Sequence, residues 1–95
     1  MILTIDIGNS NIVLGGVQEN DICFEARLRT DATKTSDEYC IDLKMILEVY
    51  GVRPVDIEGS IIASVVPQVL NSMQTAIKKL TGKFWKAIPM PSSKA

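Results

Sequence analysis

Histidine is missing altogether from this 95-residue chain. That excludes a histidine general base, a Ser-His-Asp triad and an imidazole-bound metal within these residues. Cysteine is scarce. Cys23 and Cys40 are too few for a disulfide framework and too widely spaced for a zinc knuckle. Both read as buried thiols, one in a strand and one in a helix, in a reducing compartment. Charge of one sign is lacking too: ten basic and eleven acidic residues leave a formal charge of −1. Nucleic acid is therefore not an expected partner, because it calls for a basic stripe. A small anion held by backbone amides stays compatible with a near-neutral chain. No apolar run approaches the ~20 residues of a membrane span, and the first residues lack the basic region, apolar region and cleavage signature of a signal peptide. No membrane partner and a cytoplasmic location are the expectation. There is no Gly-x-x-x-x-Gly-Lys-Ser/Thr loop and no internal repeat.

What is present is globular. Apolar residues make up 46% of the chain and charged ones 22%, enough for a modest core rather than a disordered segment. The length suits one small domain or part of a larger protein.

The chain is organised around Ile2-Leu3-Thr4-Ile5-Asp6-Ile7-Gly8-Asn9-Ser10-Asn11-Ile12-Val13-Leu14. An apolar strand delivers the Asp6 carboxylate to its end, a Gly8–Asn11 turn follows, and a second apolar strand leaves it. Gly8 is expected to use backbone angles closed to other residues, while the Asn and Ser side chains suit a turn. Such a turn can aim several N–H groups inward as a nest for an anion, with Asp6 at its lip to hold a hydrated cation. The other reading is a hairpin whose Asp and Asn side chains merely cap their own turn.

Strands are expected over 2–7 and 12–17, apolar enough to be covered on both faces. Gly15 and Gly16 suggest a bulge or a close backbone approach in the second. A third strand over 22–29 alternates, with Ile22, Phe24, Ala26 and Leu28 on one face and Cys23, Glu25, Arg27 and Arg29 on the other. This is the pattern of a half-exposed edge strand, on which Arg27 and Arg29 read as solubilising. Thr35-Ser36-Asp37-Glu38 has the form of a capping box and opens a helix over about 36–50. Tyr39, Leu43, Ile46, Leu47 and Tyr50 share its buried face, and Gly51 is placed to end it. The Thr35–Glu38 segment has a second reading, in which Asp37 or Glu38 positions substrate at a cleft rim. Lys34 is either solvated or a countercharge for phosphate.

Residues 52–58 form a loop with room for a short turn at Pro54. Residues 60–65 are a compact strand, expected to lie parallel to the first. Pro67 opens a second helix, with Val69, Leu70, Met73, Ile77 and Leu80 inward and Gly82 as its stop. A fifth strand is expected over 84–88, with Trp85 able to cover the sheet edge. The domain then spans 1–88, and residues 89–95 read as a disordered tail.

The order β-β-β-α-β-α-β, an α/β mixed sheet with three antiparallel meander strands, resembles the ribonuclease-H-like (actin-like ATPase) domain of sugar kinases, actin and Hsp70-type ATPases. Three motifs narrow the likeness: Asp6-Ile7-Gly8-Asn9-Ser10-Asn11, Thr35-x-Asp37-Glu38-Tyr39, and Ser64-Val65-Val66-Pro67. In that order they are similar to the type III pantothenate kinases over about residues 1–88. The resemblance implies transfer of the ATP γ-phosphoryl group to pantothenate, giving 4'-phosphopantothenate in the first step of coenzyme A synthesis. It implies a divalent ion such as Mg2+, a monovalent cation such as K+, and a homodimer of two-domain subunits. Carried over, Asp6 organises hydrated magnesium. Gly8, Asn9, Ser10 and Asn11 form the first phosphate loop, with Ser10 where the family often has threonine. Ser64 stands at a strand end facing the ligand or fixes the strand–helix junction.

The family's catalytic Asp, in a Gly-x-Asp-Arg stretch, its second phosphate loop and its monovalent-cation ligand have no counterpart in these 95 residues. The second domain is thus expected to be absent, no catalytic residue is recognisable, and the chain alone is expected to be nearly inactive. A non-catalytic nucleotide-binding module, a structural remnant of the same fold, and a domain of another small-molecule kinase remain open readings.

Overall fold

The computed structural model describes residues 1–83 in full and the backbone of 85–89. Strands β1 (Ile2–Ile7), β2 (Asn11–Gln18) and β3 (Asp21–Arg29) come first. Helix α1 (Ser36–Val49), a 3-10 turn (Pro54–Asp56), strand β4 (Gly59–Ser64), helix α2 (Pro67–Thr81) and strand β5 (Trp85–Pro89) follow. One five-stranded sheet has the order β3-β2-β1-β4-β5. β1 pairs antiparallel with β2 and parallel with β4, so the first strand is the central one. β5 lies parallel to β4 and places Ser64 opposite Pro89. The tail expected over 89–95 otherwise lies outside the described residues, as do the side chain of Trp85 and its expected edge-covering role.

The expectation that β1 and β2 are covered on both faces is corrected. Leu3, Ile5 and Ile7 are buried, whereas Ile2 and Thr4 are half-buried and Asp6 is exposed. Both helices contribute to the same core as one sheet face: Tyr39, Leu43 and Leu47 from α1, and Val69, Met73 and Ile77 from α2. A strand buried on one side needs apolar residues only at alternate positions. Here the partly open side is also aliphatic, at Ile2, Val13, Val17 and Ile61, which is why composition suggested two covers.

Two further expectations shift at one place. The β2–β3 register slips between Gly16 and Val17, pairing Gly16 with Phe24 but Val17 with Ile22. Cys23 is the extra residue. The bulge breaks the alternation, so Ile22 leaves the core face and is 71% exposed, and Cys23 is exposed rather than buried. Cys40, on α1, is half-buried. Gly16 is where the chain must have no side chain: a Cβ there would sit 2.4 Å from the Phe24 ring. That ring stacks on Tyr50 with centroids 5.0 Å apart. Tyr50, expected in the buried stripe of α1, is instead half-exposed at its C-cap, using one ring face on Phe24 and its hydroxyl on the Glu25 carbonyl.

The helix ends follow local chemistry. The Thr35 hydroxyl accepts the Glu38 N–H and the Glu38 carboxylate accepts the Thr35 N–H, closing the capping box. α2 starts at Pro67 without a side-chain cap and stops at Gly82, whose φ of 68° is left-handed. No helix among the described residues is long and apolar enough to cross a membrane.

Candidate phosphate-binding site

The parallel strands β1 and β4 end side by side, with Ile7 opposite Ser64, and the Val65 N–H donates to the Ile7 carbonyl at 3.1 Å. Open α/β sheets offer ligands their strand C-terminal ends. At this end lie Asp6, the turn Gly8–Asn11, and Ser64. The structure therefore brings Asp6, Gly8, Asn9, Ser10, Asn11 and Ser64 to one end of the sheet.

Asp6 projects from the partly open sheet face and is exposed. Among the described residues its carboxylate has no hydrogen-bond or ion-pair partner, and no group of three or more metal-ligating side chains occurs. A single unengaged carboxylate suits magnesium, which keeps several of its waters and takes one or two carboxylates plus substrate phosphates. Asp6 would hold such an ion through its hydration shell.

The turn is closed by the Gly8 N–H donating to the Asn11 carbonyl at 2.9 Å. Among the described residues the Asn9 and Ser10 N–H groups meet no protein acceptor, and the side chains of Asn9, Ser10 and Asn11 are exposed. Free amides in a turn are the donors an anionic oxygen requires. Gly8 is not left-handed: among the described residues the glycines with positive φ are Gly51 and Gly82. Its reason is space, since a Cβ would stand 3.2 Å from the Asn11 carbonyl oxygen. The expected conformational freedom is replaced by close approach.

A residue that the sequence reading passed over, Thr30, holds this turn. Its hydroxyl donates to the Gly8 carbonyl at 2.8 Å and its N–H to the Ser10 carbonyl at 2.9 Å. Behind it, the buried Tyr39 hydroxyl accepts the Asp31 N–H at 2.9 Å and donates to the Asp31 carbonyl at 2.8 Å. The Asp31 carboxylate accepts from the Thr33 hydroxyl and N–H, which hold its pKa below the ordinary value. No local motif flags Thr30, because its role depends on β3 ending beside the β1–β2 turn.

The neighbouring charges are committed elsewhere. Lys34 pairs with Asp42, which raises the lysine pKa, and lies 5.5 Å from the Tyr39 ring centroid. Asp37 pairs with Lys79 across the two helices at 2.6 Å, and Glu38 closes the capping box. Ser64 is also engaged: its hydroxyl accepts the Val66 N–H at 2.9 Å and donates to the Val66 carbonyl at 3.0 Å. These contacts favour the junction-fixing reading of Ser64. An open depression of about 450 Å3 lined by Gln74, Thr75, Lys78 and Lys79 lies on α2 and includes no residue of the turn.

The sheet order and the turn at its strand ends define a class. A ROK hexokinase from Thermus thermophilus superposes with a TM-score of 0.67 at 13% identity, over 93% of this chain and 33% of that one. At that identity the likeness establishes the fold alone, that of the actin-like ATPase domains. The family follows from sequence: the model of the type III pantothenate kinases matches residues 2–92, and the chain belongs to that family. The type III pantothenate kinase of Finegoldia magna is 45% identical over 82 residues, 86% of this chain and 31% of the relative. That of Bacillus cytotoxicus is 39% identical over 90 residues, 95% of this chain and 33% of the relative. The chain thus spans about a third of the length of the curated relatives it matches.

Proposed function

We propose that these residues form the first phosphate-binding half of an ATP-dependent pantothenate kinase. The observation that carries the reading is the pairing of unbonded Asn9 and Ser10 amides with the unengaged Asp6 carboxylate at one strand end. The amides take phosphate oxygens of ATP, and the Asn9, Ser10 and Asn11 side chains add donors around them. Asp6 would hold a magnesium ion, which would supply charge neutralisation at the phosphates. Phosphoryl transfer needs in-line alignment and electrostatic stabilisation more than covalent chemistry, and Gly8, without a side chain, lets the turn close tightly against the Asn11 carbonyl.

Pantothenate as acceptor, 4'-phosphopantothenate as product, a monovalent cation such as potassium, a homodimeric two-domain parent and a cytoplasmic location belong to this reading. They rest on the family rather than on any group described here. The Gly-x-Asp-Arg stretch that carries the family's general-base Asp has no counterpart in these 95 residues. The chain alone is therefore expected to bind Mg·ATP weakly and to transfer phosphate at a negligible rate, because an open half-site cannot align donor and acceptor.

Titration of the 15N-labelled chain with Mg·ATP tests the reading. Shifts centred on Asn9 and Ser10, lost in Asp6→Asn, support it. No response at the turn overturns it. Pantothenate-dependent turnover by these 95 residues at the rate of a working kinase would overturn the half-site description.

A further inference from the structure

We propose that Thr30 is a positioning residue for the phosphate-binding turn: by holding the Gly8 carbonyl it sets the direction of the Asn9 amide, one of the two that receive phosphate, and by holding the Ser10 carbonyl it fixes the far side of the turn. The inference rests on the reading of the turn given above and adds a residue to it. A trans peptide is planar, with its N–H directed opposite to its C=O, and no cis peptide occurs among the described residues. Pinning the Gly8 carbonyl therefore fixes the Asn9 N–H, and pinning the Ser10 carbonyl fixes the Asn11 N–H. Thr30 does both, one with its hydroxyl at 2.8 Å and one with its backbone N–H at 2.9 Å.

Both contacts also remove electron-rich groups from competition. A free carbonyl in a two-residue turn can swing toward the ligand side and repel an anion. Held on Thr30, the Gly8 and Ser10 oxygens are turned toward β3, away from the amides they share peptide planes with. The clamp is itself referenced to the core. Residue 31 is held through both backbone polar groups by the Tyr39 hydroxyl, and Tyr39 is fully buried on α1. The direction of the Asn9 amide is thus set through Thr30 and Asp31 by a residue buried on α1. Preorganised donors of this kind act without reorganisation when charge arrives.

Thr30→Val removes the hydroxyl at constant shape and leaves the backbone N–H in place. Thr30→Ser restores the hydroxyl without the methyl group. Mg·ATP and inorganic tripolyphosphate are titrated into the 95-residue chain and each variant. The readouts are the Asn9 and Ser10 amide shifts, the dissociation constant, and the thermal midpoint. Expected is an affinity loss of about fivefold in Thr30→Val, the factor corresponding to one net hydrogen bond, with a smaller ligand-induced shift at Asn9 than in the parent chain. Thr30→Ser should return to within about twofold of the parent chain. A residue that merely stabilised the fold would move the midpoint and leave these ratios alone. Wild-type affinity in Thr30→Val, or equal losses in valine and serine variants, overturns the positioning role while leaving the phosphate turn standing. No response of the parent chain to either probe overturns both. If the valine variant does not fold, Thr30→Ala removes the same hydroxyl without bulk and gives the same discrimination.

Discussion

Ser60 and Ser64 stand four residues apart on the core-facing side of β4, and deleting their hydroxyls should have opposite effects. Ser60 is 5% exposed, and among the described residues its Oγ has no hydrogen-bond partner. A buried hydroxyl that gives up water and gains nothing costs roughly 1–3 kcal/mol. Ser60→Ala removes that cost and leaves a void smaller than a methyl group, worth less than about 1 kcal/mol. The net expectation is stabilisation by about 1 kcal/mol, a rise in thermal midpoint of about 4–8 °C for a domain of this size. Ser64→Ala deletes two bonds to Val66, at 2.9 and 3.0 Å, and leaves the Val66 N–H without its acceptor. A destabilisation of about 1 kcal/mol follows. Thermal and urea unfolding followed by circular dichroism measure both, and the two variants control for the change in side chain. A lowered or unchanged midpoint in Ser60→Ala would show that its hydroxyl contributes a favourable interaction, and would refute the argument.

Gly16→Ala should destabilise by about 1–3 kcal/mol, because the new methyl meets the Phe24 ring at 2.4 Å and the ring must leave its stack on Tyr50; urea midpoints check this. Tyr39→Phe strips both hydrogen bonds from residue 31, so about 1–3 kcal/mol is lost, and faster hydrogen exchange at the Asp31 amide should report it. Asp31, Asp56 and Glu58 are all held below their ordinary pKa values, by Thr33, Arg53 and the N-terminal ammonium respectively. Their folded-state values lie under the unfolded ones, so their contribution is present above the ordinary carboxylate range and is lost as pH falls through the lowered values. Urea midpoints should therefore fall on acidification below the ordinary values of 3.8 and 4.5, with a shallower fall in Asp31→Asn.

Local signals were the legible ones. The capping box at Thr35 and Glu38, the Pro67 start and the Gly82 stop of α2 each depend on residues within a few positions, and each stands where the sequence places it. The order of elements was legible too, and with it the antiparallel meander of β1 to β3 and a fourth strand parallel to the first. What depends on pairing between strands was not. Ile22 and Cys23 read as members of a regular alternation, and only the slip opposite Gly16 and Val17 moves them outward. Gly8 reads as a residue needing unusual angles, whereas its neighbour's carbonyl sets the constraint. Thr30 carries no motif because its partners lie 20 and 22 residues away in sequence. The Gly8–Asn11 turn itself was legible as residue types, but not the Thr30 hydroxyl bonded to the Gly8 carbonyl.

The position of β1 has a consequence for how the chain comes to its final shape. β1, β2 and β3 are joined by short turns, so their hairpins close small loops and pair early. β4 must find β1 across the whole of β2, β3 and α1, from Gly59 back to Ile2, and such distant closure is the slow kind. During folding the Gly8–Asn11 turn and its Thr30 contacts can assemble before β4 reaches β1. The carbonyl of Ile7, which receives the Val65 N–H, then waits open until β4 emerges. A chaperone or an early proteolytic cut acting in that interval would meet a formed Gly8–Asn11 turn on an unfinished sheet.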